Sequence, residues 1–309
     1  MKPIFLAVSL IAASSGALAQ FNPPAAPMQE VQVDASGTTD HRQQTGTPGS
    51  LGAEVVRAGT DAGGQPYAAS ASGATRIGPG QLTGSLDLKV TGAGAASGAL
   101  TAYQHDALTF QRRDGGFDDA LIVHYNIVIT GGTAGSASGA GRGQVGALDW
   151  TLVHQLDDHY LTSWDSRTTL QGDGSTATVS HWNVGDIGNV YAVYSFAAAV
   201  MAGSPLNMDF YLEMSGALQG ALSSTSASLA AQAPSIYWGG ITQVSDWSGN
   251  AVDYAVSSAS GFNYRLNALA SPAPEPASWA MLLIGGIVLG AWARRRGQRQ
   301  GTPPPPLHG

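Results

Sequence analysis

The chain predicts an all-β protein, an antiparallel β-sandwich or jelly roll, set between an N-terminal signal peptide and one C-terminal transmembrane helix. Three observations predict it. Several segments alternate apolar and polar residues with a period of two. Turns of small residues separate these segments. No comparable 3.6-residue pattern appears before the last forty residues.

Residues 1–19 read as a secretory signal peptide. Lys2 supplies the positive start, residues 4–13 the apolar stretch, and Ala17-Leu18-Ala19 the small-x-small cleavage pattern before Gln20. Residues 20–50, rich in Pro, Gln, Thr and Gly, read as a flexible arm. The sandwich is expected over residues 51–270.

Within it, Leu82, Gly84, Leu86, Leu88 and Val90 alternate with polar neighbours. Leu121, Val123, Tyr125, Ile127 and Ile129 share one face, as do Leu148, Trp150, Leu152 and Leu156. Met208, Phe210, Leu212 and Met214 repeat the pattern against Asn207, Asp209, Tyr211 and Glu213. Residues 190–196 are apolar on both faces and predict a central strand. Gly131-Gly132, Gly172-Asp173-Gly174, Gly239-Gly240 and Ser248-Gly249-Asn250 are the expected turns. A last strand is expected shortly before residue 270.

Ser271-Pro272-Ala273-Pro274-Glu275-Pro276 follows as a linker. Each proline lacks an N–H and pushes its predecessor toward extended geometry, so the linker is an exposed, semi-rigid strip. Residues 277–293 are then 17 residues without a charge. As a helix they measure about 25 Å, the short end of what spans a bilayer. Trp279 and Trp292 sit at the two ends, where aromatic rings favour the membrane interface. Arg294, Arg295 and Arg296 open a basic tail, 294–309, that holds the far side in the cytoplasm.

Pro274-Glu275-Pro276, a small residue, Trp279, an apolar helix and an arginine cluster, in that order, resemble the PEP-CTERM sorting signal of Gram-negative bacteria. The resemblance covers about residues 272–299. It implies recognition and processing by an exosortase, a membrane-embedded cysteine transpeptidase, in a host that makes exopolysaccharide. Gly301-Thr302 and the prolines at 303–306 extend beyond the usual arginine end. Because the tail alone defines the family, it implies no activity for the ectodomain.

Composition narrows the rest. With no cysteine, thiol catalysis, cysteine-ligated metals and disulfides are excluded, and the ectodomain must be held by its core alone. The exported part carries nine Lys and Arg against twenty Asp and Glu, a net of −11. That balance argues against nucleic acid or anionic lipid as a partner. It suits neutral glycans, divalent cations or plain solubility.

Candidate chemistry is sparse. Gly141-Arg142-Gly143-Gln144-Val145-Gly146 matches GxGxxG, but the dinucleotide motif needs a following helix, and the residues here alternate as a strand. A hairpin loop is the expectation. His154 and His159 with Asp157 and Asp158 have ligand chemistry, yet His154 falls on the apolar face, so a half-buried histidine beside an acidic turn is expected. Asp114, Asp118 and Asp119 offer oxygens for calcium but lack an EF-hand pattern, and a solvated acidic turn is expected. No GxSxG or HExxH occurs. Trp150, Trp164, Trp182, Trp238 and Trp247 are many for one domain, and most belong in a core. Tyr237-Trp238 beside Gly239-Gly240 is the expected exposed aromatic pair for stacking on sugar rings.

The expectation is thus a non-enzymatic, exported protein without cofactor, metal or catalytic residues. Its precursor is tethered to the inner membrane by the C-terminal helix before processing and ends in the cell envelope or outside the cell, in a biofilm matrix. Exopolysaccharide is the expected ligand. The alternative is a secreted hydrolase acting on polysaccharide, which requires two facing carboxylates in a cleft.

Overall fold

The computed structural model describes residues 26–268, apart from 47, 116–119, 140–142, 158–159, 182–188, 221–224 and 232. The signal peptide, Pro274, Glu275, Pro276, Trp279, Trp292 and Arg294 to Arg296 lie outside the described residues, as do His159, Asp158, Asp118 and Asp119. Among the described residues no helix is long and apolar enough to cross a membrane.

The described residues form strands. The first five are β1 (Met28–Ala35), β2 (Thr38–Thr45), β3 (Gly49–Thr60), β4 (Pro66–Gly78) and β5 (Gln81–Thr91). Then come β6 (Ala95–Arg112), β7 (Ala120–Ser138), β8 (Gln144–Leu156), β9 (Tyr160–Gln171) and β10 (Thr176–His181). The last are β11 (Asn189–Met201), β12 (Pro205–Gln219), β13 (Ser226–Ala231), β14 (Ser235–Ser245) and β15 (Tyr254–Ser258). One sheet runs β10-β9-β8-β12-β6-β1-β2, with β15 also paired to β6. The other runs β11-β7-β13-β5-β4-β3, with β14 between β5 and β7 in line with β13. Every pairing is antiparallel, as the alternation predicts.

The sheets pack face to face through the predicted apolar sets. Leu82, Leu88, Leu121, Ile127, Leu148, Leu152, Phe210 and Leu212 are fully buried, each stabilising the fold by roughly 1.5–3 kcal/mol relative to exposure. The approach is close. A Cβ on Gly84 of β5 would lie 2.5 Å from the Leu212 Cδ2 and 2.7 Å from the Met214 Sδ of β12 in the facing sheet. Glycine at 84 leaves the space those two side chains fill.

Four expectations are corrected. Residues 28–45 are no loose arm: β1 and β2 are a hairpin, and Val31, Val33 and Ala35 are completely buried. Ser36 and Gly37 turn it with φ of 48° and 83°, the two left-handed residues a tight hairpin needs. The strand covering 190–196, β11, is the edge of its sheet rather than its centre, with Val193 50% exposed. Apolar residues on both faces do not report burial of both faces here, since Val193, Ser195 and Ala197 are exposed.

Gly131-Gly132 and Gly239-Gly240 lie within β7 and β14, not in turns. At Gly131, φ is +148° and a Cβ would lie 2.8 Å from the Pro234 Cα. That proline interrupts the β13–β14 line, and its carbonyl accepts from the Gly84 N–H at 3.0 Å. The GxGxxG segment runs into β8, a strand that begins at Gln144, so a pyrophosphate-binding helix is excluded there. It joins β7 in one sheet to β8 in the other, a crossing rather than the expected hairpin.

The closing expectation holds: β15 lies on β6 just before residue 270. After it, residues 259–267 fold back over the end of the sandwich. Tyr264 is fully buried there, its hydroxyl donating to Asp106 Oδ2 at 2.7 Å. Asp106 also accepts from the Ser260 N–H at 3.0 Å, the Ala107 N–H at 2.9 Å and the Ser260 hydroxyl.

Candidate functional site

The expected sugar-stacking pair is not an exposed platform. Trp238 is 1% exposed, its indole stacked on Tyr125 at 4.8 Å and edge-on to Tyr264 at 5.2 Å. Its Nε1–H donates to the Tyr264 carbonyl at 2.7 Å. The alternation of β14 turns Trp238 inward and leaves Tyr237 half-buried on the opposite face. Trp150 and Trp164 are also core residues.

His154 belongs to the same interior. Its Nε2 shares a 3.0 Å hydrogen bond with the Tyr125 hydroxyl, and Phe196 and Phe210 flank the ring at 5.8 and 5.4 Å. Burial pushes the imidazole down to about 4, opposed only in part by the backbone of Asp209, so it is neutral near pH 7. It is fully buried rather than half-buried as expected, because β8 continues its inward alternation through Leu156. Among the described residues no three His, Cys, Asp or Glu side chains converge as a metal site.

A polar cluster that the sequence reading missed lies on the outer face of the β8-β12-β6 sheet. Asp209 of β12 stands opposite His105 on one side and Gln155 on the other, and Tyr211 stands opposite Tyr103. Asp209 Oδ1 accepts from the His105 Nδ1–H at 2.8 Å and from the Tyr103 hydroxyl. Burial, followed by the bond to Asp209, holds the Tyr103 hydroxyl far above its ordinary range. Gln155 Oε1, also buried, has no hydrogen-bond partner among the described residues. A proton on His105 Nδ1 is thereby fixed toward Asp209, on a side chain 35% exposed. The arrangement can hold an oriented imidazole toward a hydroxyl or another proton donor. Its members lie 104 residues apart on strands whose register no local pattern reveals.

A second group gathers at one end of the sandwich. The Asp246 carboxylate accepts from the Ser248 N–H at 2.9 Å, the Asn250 N–H at 2.9 Å and the Asn250 Nδ2 at 3.0 Å. These bonds hold its pKa below the usual carboxylate range, with a smaller contribution from the Arg112 charge. The expected turn at Ser248-Gly249-Asn250 is present, and it presents Trp247 at 62% exposure. Beside it, Tyr254 of β15 pairs with Arg112 of β6, and the Arg265 guanidinium lies 4.4 Å over the Tyr254 ring. Arg112 binds Asp114 through two nitrogens.

These features define an all-antiparallel, two-sheet β protein with polar clusters on its outer face and at one end. No protein-family model matches the chain, and no curated protein matches it.

Proposed function

We propose that this chain is an exported cell-envelope or extracellular-matrix protein whose C-terminus is a PEP-CTERM signal processed by an exosortase-type transpeptidase. One observation carries the reading: Pro274-Glu275-Pro276, the uncharged run 277–293 and Arg294, Arg295 and Arg296 follow one another in the order such a signal needs. The signal peptide delivers the chain across the inner membrane. The apolar run holds the precursor there, anchored by Trp279 and Trp292, while the extended prolines offer a cleavable strip outside.

Two structural features support this. Among the described residues the last fully buried side chain is Tyr264, which lies upstream of the whole linker. The ectodomain holds together without disulfides, through two packed sheets. Its role is non-enzymatic attachment within the exopolysaccharide matrix. Changing Glu275 to Ala in the native host tests the sorting step. The precursor should then accumulate at the inner membrane with its full C-terminal mass. An unchanged mature mass and location would refute the processing.

A further inference from the structure

We propose that the Asp246–Asn250 turn and the adjoining ends of β6 and β15 form a glycan contact site for an uncharged hexose polymer, with Trp247 as its stacking platform. The inference rests on the matrix reading above only in that it supplies the attachment that reading requires.

The first observation is Trp247 itself. Trp150, Trp164 and Trp238 are buried, and Trp247 alone of the described tryptophans faces water, at 62%. An indole so exposed contributes little to the core, and a polar residue would satisfy the turn equally well. The turn that carries it is tied down by hydrogen bonds. Besides the three bonds to its carboxylate, Asp246 donates its N–H to the Asn250 carbonyl at 3.0 Å and accepts from the Gly249 N–H at 3.0 Å. A ligand arriving at a hydrogen-bonded turn loses less conformational entropy than one that must order a mobile loop.

The second observation is what surrounds that turn. The chain leaves it through Val252, whose N–H donates to the Val244 carbonyl at 3.0 Å, and Asp253, whose carbonyl accepts from the Arg113 N–H at 2.9 Å. Arg112 of β6 pairs with Tyr254, the residue after Asp253. Arg265 donates to the Tyr254 carbonyl at 3.2 Å while its guanidinium covers the Tyr254 ring. An aromatic platform thus shares one end of the sandwich with two positioned guanidinium groups and the carboxylates of Asp114 and Asp253.

Together they fit a pyranose. The apolar C–H face of a hexose ring stacks on indole, guanidinium N–H groups donate to hydroxyl oxygens, and carboxylates accept hydroxyl protons. The charge disfavours acidic polymers: Arg112, Arg113 and Arg265 are matched by Asp114, Asp246 and Asp253, so this end offers no net positive charge on an ectodomain that is itself strongly negative.

Affinity electrophoresis of the protein purified from its host, in gels containing dextran, laminarin, hydroxyethyl cellulose or alginate, tests the site. At least one of the three neutral glucans should retard the wild type, and alginate should not. Trp247→Ala should weaken that retardation by about tenfold or more, and Trp247→Tyr should restore part of it. Melting temperature and C-terminal processing should be unchanged in both variants, which separates failure here from failure of the sorting reading. The proposal is overturned if no neutral glucan retards the wild type, if alginate alone does, or if Trp247→Ala migrates as the wild type does. A Trp247→Ala protein that melts early would overturn it too, since the indole would then be a folding residue.

Discussion

The Tyr264 hydroxyl and Asp106 meet at 2.7 Å across 158 residues of sequence, with the carboxylate 2% exposed and the tyrosine wholly buried. Burial and the neighbouring carboxylate hold that hydroxyl far above its ordinary range, so it remains a donor at any working pH. Tyr264→Phe keeps the ring against Trp238 and removes one donor from a buried carboxylate. Urea unfolding should show a loss of about 1–3 kcal/mol. A variant as stable as the wild type would mean that the Ser260 and Ala107 donors suffice.

His154 makes stability depend on pH in a definite direction. Its folded pKa of about 4 lies below the ordinary 6.5, so the unfolded chain binds the proton more readily. Stability from this group is complete above pH 6.5, falls as the pH drops through that window, and is fully lost below about 4. The total is about 3 kcal/mol. Carboxylates titrate over part of the same range, so the readout is a difference. His154→Leu should lose less stability than the wild type between pH 7 and pH 4. Parallel curves for the two proteins would contradict the assignment.

Gly131 of β7 packs against the Pro234 break between β13 and β14. Alanine there must adopt a φ of +148° and bring its Cβ to 2.8 Å from the Pro234 backbone. A backbone atom cannot rotate away as a side chain can, so β7 and the Pro234 segment must part. Gly131→Ala should cost about 1–3 kcal/mol in thermal or urea unfolding. The companion variant Gly249→Ala, also at positive φ but with open space around it, should cost less, because only the backbone term applies.

The long alternating strands were legible because period two over eight or more residues leaves one reading. β5, β7, β8 and β12 bury the residues that the pattern assigns to the core. The β1–β2 hairpin was hidden by composition: β2 is Thr-Thr-Asp-His-Arg-Gln-Gln-Thr, with no apolar face to betray it. Its burial of Val31 and Val33 depends on β3 and β4, which belong to the other sheet.

Trp238 misled for a local reason. An aromatic beside two glycines looks like a turn, whereas here the glycines serve a strand whose register shifts between Trp238 and Ile241. The His105–Asp209 pair was out of reach altogether, since only cross-strand register brings the two side chains together. Trp247 was half legible. Its turn residues were plain, but nothing in the chain distinguishes the exposed tryptophan from the buried ones.

The way the fold closes also sets how it bears tension. A pull applied at Asn267 reaches the Trp238–Tyr264 and Asp106–Tyr264 bonds before it loads the five rungs of β15, the shortest described strand. The shortest ladder is therefore shielded by two buried hydrogen bonds. A molecule hauled by that end grips at its plug instead of unzipping from its margin.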